Sequence, residues 1–522
     1  MKGKPIALIA AALAVIALTL YAYRELPARP FAADDYQWLL NVHGLSFGQL
    51  VRRAFDPGAQ SHFFRPLVWL LFWAQTRAFG LDPRGFHAAS LGLHLLNASL
   101  LGWLFYRLAN GEGRRTNEEQ TAASSALFGV SAALVVSAIV ALHPAPFEAV
   151  VWISAQSELL AAALLLAALH LWLPRQSAKD QAPKTNQPAS YALRSSIFGP
   201  WSLLATLALG LALLAKESAV IGLPLLALIG LANIQGSHLQ ACKSPNFRRL
   251  APYLLPALVT LAYVALQVAI ERRNYLLEQG GYGLGAQLAL NPLRSLALIL
   301  APLPGTEHAD AGWLVPVGAA VAVVLLIILI GDLRLRMLGR GDQSSAAAPG
   351  LSAGVILALG LTLLPTAPFV SPPDSRYLYL PVLAAGLFVP LLFHQILRTK
   401  DQRPTVSAFG PWSLVLSICV LSVAWWASGE LHIREWRFAT ASGPGGSLWR
   451  VAAAVCADSR PDRMVIVEPP LAPPHAEAIV GLACGDATRA RIVGRDQIDD
   501  ALKGHSVVIA FQNGSAEIER RT

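Results

Sequence analysis

The chain has 522 residues, of which 54% are hydrophobic and only 14% charged, with a formal net charge of +9. Too few polar residues are present to cover one water-soluble core, so the composition excludes an ordinary soluble globule and points to long contact with lipid. The basic excess does not indicate a nucleic-acid partner, because Lys and Arg fall in short gaps between apolar runs of about 20 residues, the length that crosses a bilayer.

Met1 to Lys4 carries two lysines, and 5–23 is then unbroken and apolar. This predicts a signal anchor entering from the cytoplasm; a cleaved signal peptide is the alternative, although its apolar region is usually only about 7 to 15 residues long. Further spans are predicted over 85–106, 122–142, 149–173, 197–215, 219–234, 251–270, 312–331, 351–370, 378–397 and 409–428. The total is about eleven membrane helices. The predicted inner gaps carry Arg114 and Arg115; Arg175, Lys179, Lys184 and Arg194; Lys243, Arg248 and Arg249; Arg334, Arg336 and Arg340; and Arg398, Lys400 and Arg403. Of the outer turns, HPAPFE (143–148) has no Lys or Arg, the KE turn has only Lys216, and PPDSRY has only Arg376. Short inner loops hold the basic excess, so the alternation predicts an inner N-terminus and an outer C-terminus.

The first outer loop, 24–84, departs from that pattern with Arg24, Arg29, Arg52, Arg53, Arg65, Arg77 and Arg84. Within it, FRPLVWLLFWAQTRAFG (64–80) is apolar but short for a crossing and reads as a helix lying in the interface, as does NPLRSLALILAPLPG (291–305). Beyond residue 428, MVIVEPP, AEAIVGLACG, RARIVG, RDQIDDALKG and SVVIAFQ alternate in a βαβαβ order. The predicted architecture is an all-α polytopic membrane domain over 1–428 followed by a small outer α/β domain over 429–522. Cys456 and Cys484 fall in that outer part, where a disulfide is one option. Cys242 is expected in the cytoplasm and Cys419 buried, and without a CxxC or Cys/His cluster no structural zinc is expected. Segments 177–190 and 339–350 read as cytoplasmic linkers, and no internal repeat is visible.

The outer face collects Asp34 and Asp35, Arg65, Glu148, Glu158, Lys216 with Glu217, Arg272 with Arg273, and Arg376. A charge at mid-membrane costs about 2.5 to 3.5 kcal/mol, so Glu158, expected some two turns into its helix, should face protein or a wet cavity. Carboxylates and fixed cations around an outer cavity suit transfer of a sugar from a polyprenyl phosphate to a hydroxyl. The departing phosphate is an anion that cations stabilise, and the acceptor hydroxyl needs a carboxylate base. Plainer readings stand beside this one. Asp34 and Asp35 could cap the helix that follows, Lys216 and Glu217 could pair with each other in a turn, and Arg376 with its neighbouring aromatics could anchor a helix at the headgroups. Glu148 could be a loop residue, and His87 and His94 could be packed, hydrogen-bonded side chains.

The order of motifs resembles the GT-C glycosyltransferases, particularly bacterial relatives of the protein O-mannosyltransferases and the transmembrane/TPR O-mannosyltransferases. The resemblance runs from Asp34 to Pro381 through DD, FRPL, FGLDPRGFHAASLGLHLLNA, HPAPFEAVVWISAQSELLAA, LLAKESAVIGLPLL and SRYLYLP. It implies a GT-C fold, with Asp34 as catalytic base and Asp35 beside it. It further implies Arg65, Lys216 and Arg376 at the donor phosphate and Glu158 at an acidic position; the outer-face reading adds Glu148 and Glu217, with Glu158, as acidic residues of the acceptor site or cavity. The partners implied are a polyprenyl-phosphate-linked sugar, a hydroxyl-bearing acceptor and the lipid bilayer of a bacterial inner membrane. No protein metal site is implied, and metal dependence stays open, a divalent cation being compatible. The tail lacks TPR and MIR modules, so a protein acceptor does not follow, and Gln156 stands where relatives often have Arg. The rival readings are a polyprenyl-diphosphate-linked glycan ligase or polymerase, and a lipid-linked sugar transporter; charges clustered at one face without a repeat favour an enzyme.

Overall fold

The computed structural model describes residues 4–59, 63–111, 119–173, 199–234, 251–271, 281–300, 302, 312–337, 349–387, 409–502 and 504–521. Arg272, Arg273, Cys242, the linker at 177–190, most of 339–350 and nearly all of the inner-gap cations lie outside them. The apolar runs form helices because Ala and Leu dominate them and, in lipid, a backbone must satisfy its own hydrogen bonds. Helix α1 spans Lys4–Ala22, and three short helices of the first loop follow: α2 (Asp34–Val42), α3 (Phe47–Ala54) and α4 (Pro66–Phe79). The bundle continues with α5 (Pro83–Gly111), α6 (Glu119–Leu142), α7 (Phe147–Val151), α8 (Gln156–Trp172), α9 (Pro200–Ala215), α10 (Gly222–Ile234) and α11 (Leu254–Glu271). After these come α12 (Gln287–Leu300), α13 (Leu314–Met337), α14 (Pro349–Leu363) and a helical stretch over 379–387.

Among the described residues, five helical segments are long and apolar enough to cross a membrane: Ile9–Ala28, Pro83–Leu108, Ile153–Trp172, Ala251–Ile270 and Leu314–Gly331. Gly129–Leu142, Pro200–Ala215, Glu217–Gly230, Gln287–Leu300 and Ala353–Thr366 are apolar but shorter, so the expected count of about eleven is not reached by length alone. Two expected spans are interrupted. The run 149–173 is split by Trp152, whose extended backbone (φ −89°, ψ 118°) ends α7 before a 3₁₀ turn (Ile153–Ala155) and α8. The run 219–234 opens with a 3₁₀ turn, Glu217–Ile221, rather than a regular helix. FRPL begins the expected short helix, α4, with Pro66 in the first turn, where its missing N–H is harmless.

The last membrane run does not stop at residue 428. Helix α15 (Phe409–Asp458) is one continuous helix of 50 residues, and therefore roughly 75 Å long at 1.5 Å per residue, against about 30 Å of hydrocarbon. The shift to a more polar composition after residue 428 falls within α15, not at its end. It leads into β1 (Arg463–Val467), α16 (Pro473–Cys484), β2 (Ala490–Val493), α17 (Ile498–Ala501), β3 (Ser506–Gln512) and β4 (Ser515–Arg521). The sheet order is β2-β1-β3-β4, with β1 parallel to both neighbours, as the βαβαβ pattern predicts, and with an added antiparallel edge strand, β4. Alternation in SAEIERR is weak because only Ala516 is buried there, so β4 carried little signal. Cys456 at the end of α15 and Cys484 at the end of α16 form a disulfide.

The small domain is not a free appendage. Tyr36, Leu39 and Val42 of α2 and Val68, Trp69 and Phe72 of α4 share one apolar core with Leu448 and Val455 of α15 and Ile479 and Val480 of α16. Close backbone approaches make this contact. A Cβ at Gly446 would sit 2.9 Å from Pro30, and one at Gly481 3.1 Å from Leu40.

Candidate functional site

The aspartates open α2, but neither is its N-cap. That position is Ala33, held at φ 46°, a strained conformation for a residue with a side chain. Side-chain bonds hold the turn in this shape. Asp35 is buried and accepts from Ala32 N (2.8 Å), Ser154 N (2.7 Å) and Ser154 Oγ, while Trp152 donates its indole N–H to Ala32 O (3.2 Å). The break between α7 and α8 thus supplies the donors that fix the acidic turn. Burial pushes the Asp35 carboxyl up to about 7, although those hydrogen bonds act in the other direction. Asp34 is different: its side chain is 46% exposed, Oδ1 accepts from His475 Nε2 (2.8 Å), and Oδ2 has no hydrogen-bond partner among the described residues.

Trp152 links this turn to the cations. The Arg376 guanidinium lies 4.7 Å from the Trp152 ring centroid and 4.8 Å from that of Tyr377, and Lys216 Nζ lies 5.1 Å from the same Tyr377 ring centroid. Arg376 pairs with Asp374 (2.6 Å) and lies 3.7 Å from Glu148. Its backbone N–H also donates to Glu148 Oε2 (3.3 Å), while Glu148 N donates to Ser375 Oγ (3.2 Å), joining the HPAPFE turn to the SRYL turn. Arg376 therefore sits between two aromatic rings and two acids.

Lys216 ends α9 in an extended conformation, and Glu217 begins the 3₁₀ turn after it. They do not bond to each other. Lys216 Nζ contacts Glu158 at 2.6 Å with both side chains almost fully buried, whereas Glu217 receives a bidentate fork from Arg65, 2.9 Å from Nε and 2.7 Å from Nη2. Glu158 is the third residue of α8, not two turns in, where the helix N-terminus also favours a carboxylate. Burial alone would raise the Glu217 carboxyl, but Arg65 and Lys216 hold it below its usual range. Gln156 is satisfied by Gln75, Phe86 O and Ser90.

Among the described residues, Asp34, Asp35, Glu148, Glu158, Lys216, Glu217, Arg65 and Arg376 are thus linked to one another directly or through Ser154, Trp152 and Tyr377, while Arg272 and Arg273 lie outside the described residues. His87 and His94 are packed, bonded side chains: His87 meets Arg29 O, and His94 bridges Tyr379 Oη and Ala141 O. Sequence reasoning missed His475, Trp152, Ser154 and Tyr377. Trp152 and Tyr377 stood inside the quoted motifs, but His475 is 441 residues from Asp34 and carried no signal. Among the described residues, no group of three or more His, Cys, Asp or Glu is gathered as a metal site.

No family model and no curated protein matches the chain. Among solved structures, the oligosaccharyltransferase of Archaeoglobus fulgidus in its apo form is similar with a TM-score of 0.45 at 12% identity, over 94% of this chain and 65% of that one. The chain accordingly spans just under two thirds of that enzyme's length. What these linked residues can do is read from their own chemistry.

Proposed function

We propose that the chain is an inverting glycosyltransferase of the GT-C type, moving a sugar from a polyprenyl-phosphate donor to a hydroxyl acceptor at the outer face of a bacterial inner membrane. One observation carries this reading: among the described residues Asp34 keeps one carboxylate oxygen unspent on a half-exposed side chain, and the Trp152 indole joins its turn to Arg376, which shares the Tyr377 ring with Lys216. The unspent oxygen accepts the hydroxyl proton as the acceptor oxygen attacks the anomeric carbon. The bond from that carbon to the phosphate oxygen breaks, and its electron pair leaves on polyprenyl phosphate.

A phosphate is a good leaving group, so the site needs cations rather than a general acid. Arg65 is the best placed of these, since its fork to Glu217 uses Nε and Nη2 and leaves Nη1 without a bond among the described residues. Arg376 contributes from the Trp152 side. Lys216, buried on Glu158, acts from behind Tyr377. An apolar cleft lined by Leu104, Leu165, Leu225, Val355, Leu383 and Ala384 suits a hydrocarbon tail. Attack opposite the leaving phosphate in a single displacement inverts the anomeric centre.

The test is a thin-layer assay on membranes containing the chain, with a panel of radiolabelled polyprenyl-phosphate sugars and, as a second arm, polyprenyl-diphosphate oligosaccharides. Consumption of a monophosphate donor with release of polyprenyl phosphate is expected, with Asp34→Asn lowering the rate about 10²- to 10⁴-fold while inserting normally. Consumption of the diphosphate donor alone would move the assignment to a glycan ligase. Wild-type rates in Asp34→Asn reject the mechanism.

A further inference from the structure

We infer that the small C-terminal domain completes the site, with His475 as the residue that positions the Asp34 carboxylate; this rests on the transferase reading above. An ionised carboxylate has no proton to donate, so the 2.8 Å contact requires His475 to carry its proton on Nε2 and donate it to Oδ1. That bond stops rotation of the carboxylate and leaves Oδ2 as the oxygen open to the acceptor hydroxyl. Without it, a half-exposed Asp34 would share its orientations with solvent.

The rest of the domain is built to hold that imidazole still. His475 lies in the first turn of α16, after Pro473 and Pro474, and its own N–H donates to Ala472 O (3.0 Å). Helix α16 packs directly on α2, the helix that Asp34 begins, with Ile479 and Val480 in one core with Tyr36 and Leu39. The far end of α16 is tied by Cys484 to Cys456 at the end of α15. Donor and acceptor of the bond thus sit on two helices locked face to face. His475 does not itself take the acceptor proton, which passes to Oδ2 of Asp34 and then to water.

The experiment compares His475→Leu and His475→Gln with the wild-type full-length chain, using the labelled polyprenyl-phosphate sugar that the panel identifies as donor. His475→Leu is expected to lower kcat about 10- to 100-fold, in line with loss of orientation at a reacting group, and to leave KM for the donor unchanged. His475→Gln, whose amide N–H₂ reaches to a similar distance, should recover most of the loss. Wild-type kcat in His475→Leu overturns the inference, and so does an equal loss in both variants accompanied by a lowered Tm, which would mark His475 as structural. Asp34→Asn run in parallel separates the two levels. If Asp34→Asn is inactive while His475→Leu is normal, only the positioning role fails; if Asp34→Asn is fully active, the transferase reading itself fails.

Discussion

The turn that carries Asp34 and the layer that carries Arg65, Lys216 and Arg376 lie on two sides of Trp152, and they handle charge in opposite ways. In the cation layer each basic side chain already has an acid: Glu217 for Arg65, Glu158 for Lys216, and Asp374 with the nearby Glu148 for Arg376. In the turn, Asp35 is fully engaged and buried, whereas among the described residues its neighbour Asp34 bonds through its side chain only to His475 and keeps one oxygen open. A buried charge must be paired to be tolerated, so Lys216 is fixed on Glu158, and the half-buried Arg65 and Arg376 are held by their own acids. An exposed carboxylate is hydrated by water and can be left partly free for a substrate.

The sharpest way to break this contrast is Lys216→Met. It leaves the Glu158 carboxylate buried and unpaired, and an expected loss of about 3–5 kcal/mol follows, measured as thermal unfolding in detergent. A Lys216→Met, Glu158→Leu double variant should recover most of that loss; no loss in the single variant would mean that the pair is hydrated. Arg65→Ala comes next. It should raise the donor KM by about one to two orders of magnitude, the worth of a charge-assisted contact of about 1.5–3 kcal/mol. An unchanged KM would confine Arg65 to holding Glu217.

The last effect, confined to one pH window, concerns Asp35. Its folded-state value is raised from 3.8 to about 7 by burial, so between those values the folded chain retains a proton that the unfolded chain has released. Its contribution to stability therefore falls as pH rises through that window and is flat above it. Asp35→Asn should flatten the wild-type slope between pH 5 and 7, read as Tm against pH, and an identical slope would show that another group titrates there.

Much of the layer was legible from residue order. DD, FRPL, HPAPFE, the KE turn and SRY each sit at the end of an apolar run, and the ends of such runs meet at one side of a bundle. Their pairings were not legible: Lys216 and Glu217, adjacent in the chain, point to partners on different helices, and Glu158 lies nearer its helix start than the hydropathy implied because Trp152 breaks the run. The reach of α15 past residue 428 was hidden for a related reason. Ser442 to Gly446, with Pro444 inside the helix, looks like a break, yet the small residues there serve the close contact with Pro30 and Tyr36.

By itself the sequence determined the apolar runs, the short helix after FRPL and the parallel βαβαβ order, because these follow from hydropathy, period and proline chemistry within a few residues. Only the tertiary structure decided which carboxylate stays open and which histidine meets it. That choice depends on α16 seating against α2 across 441 residues of chain, a matter of complementary surfaces rather than local preference.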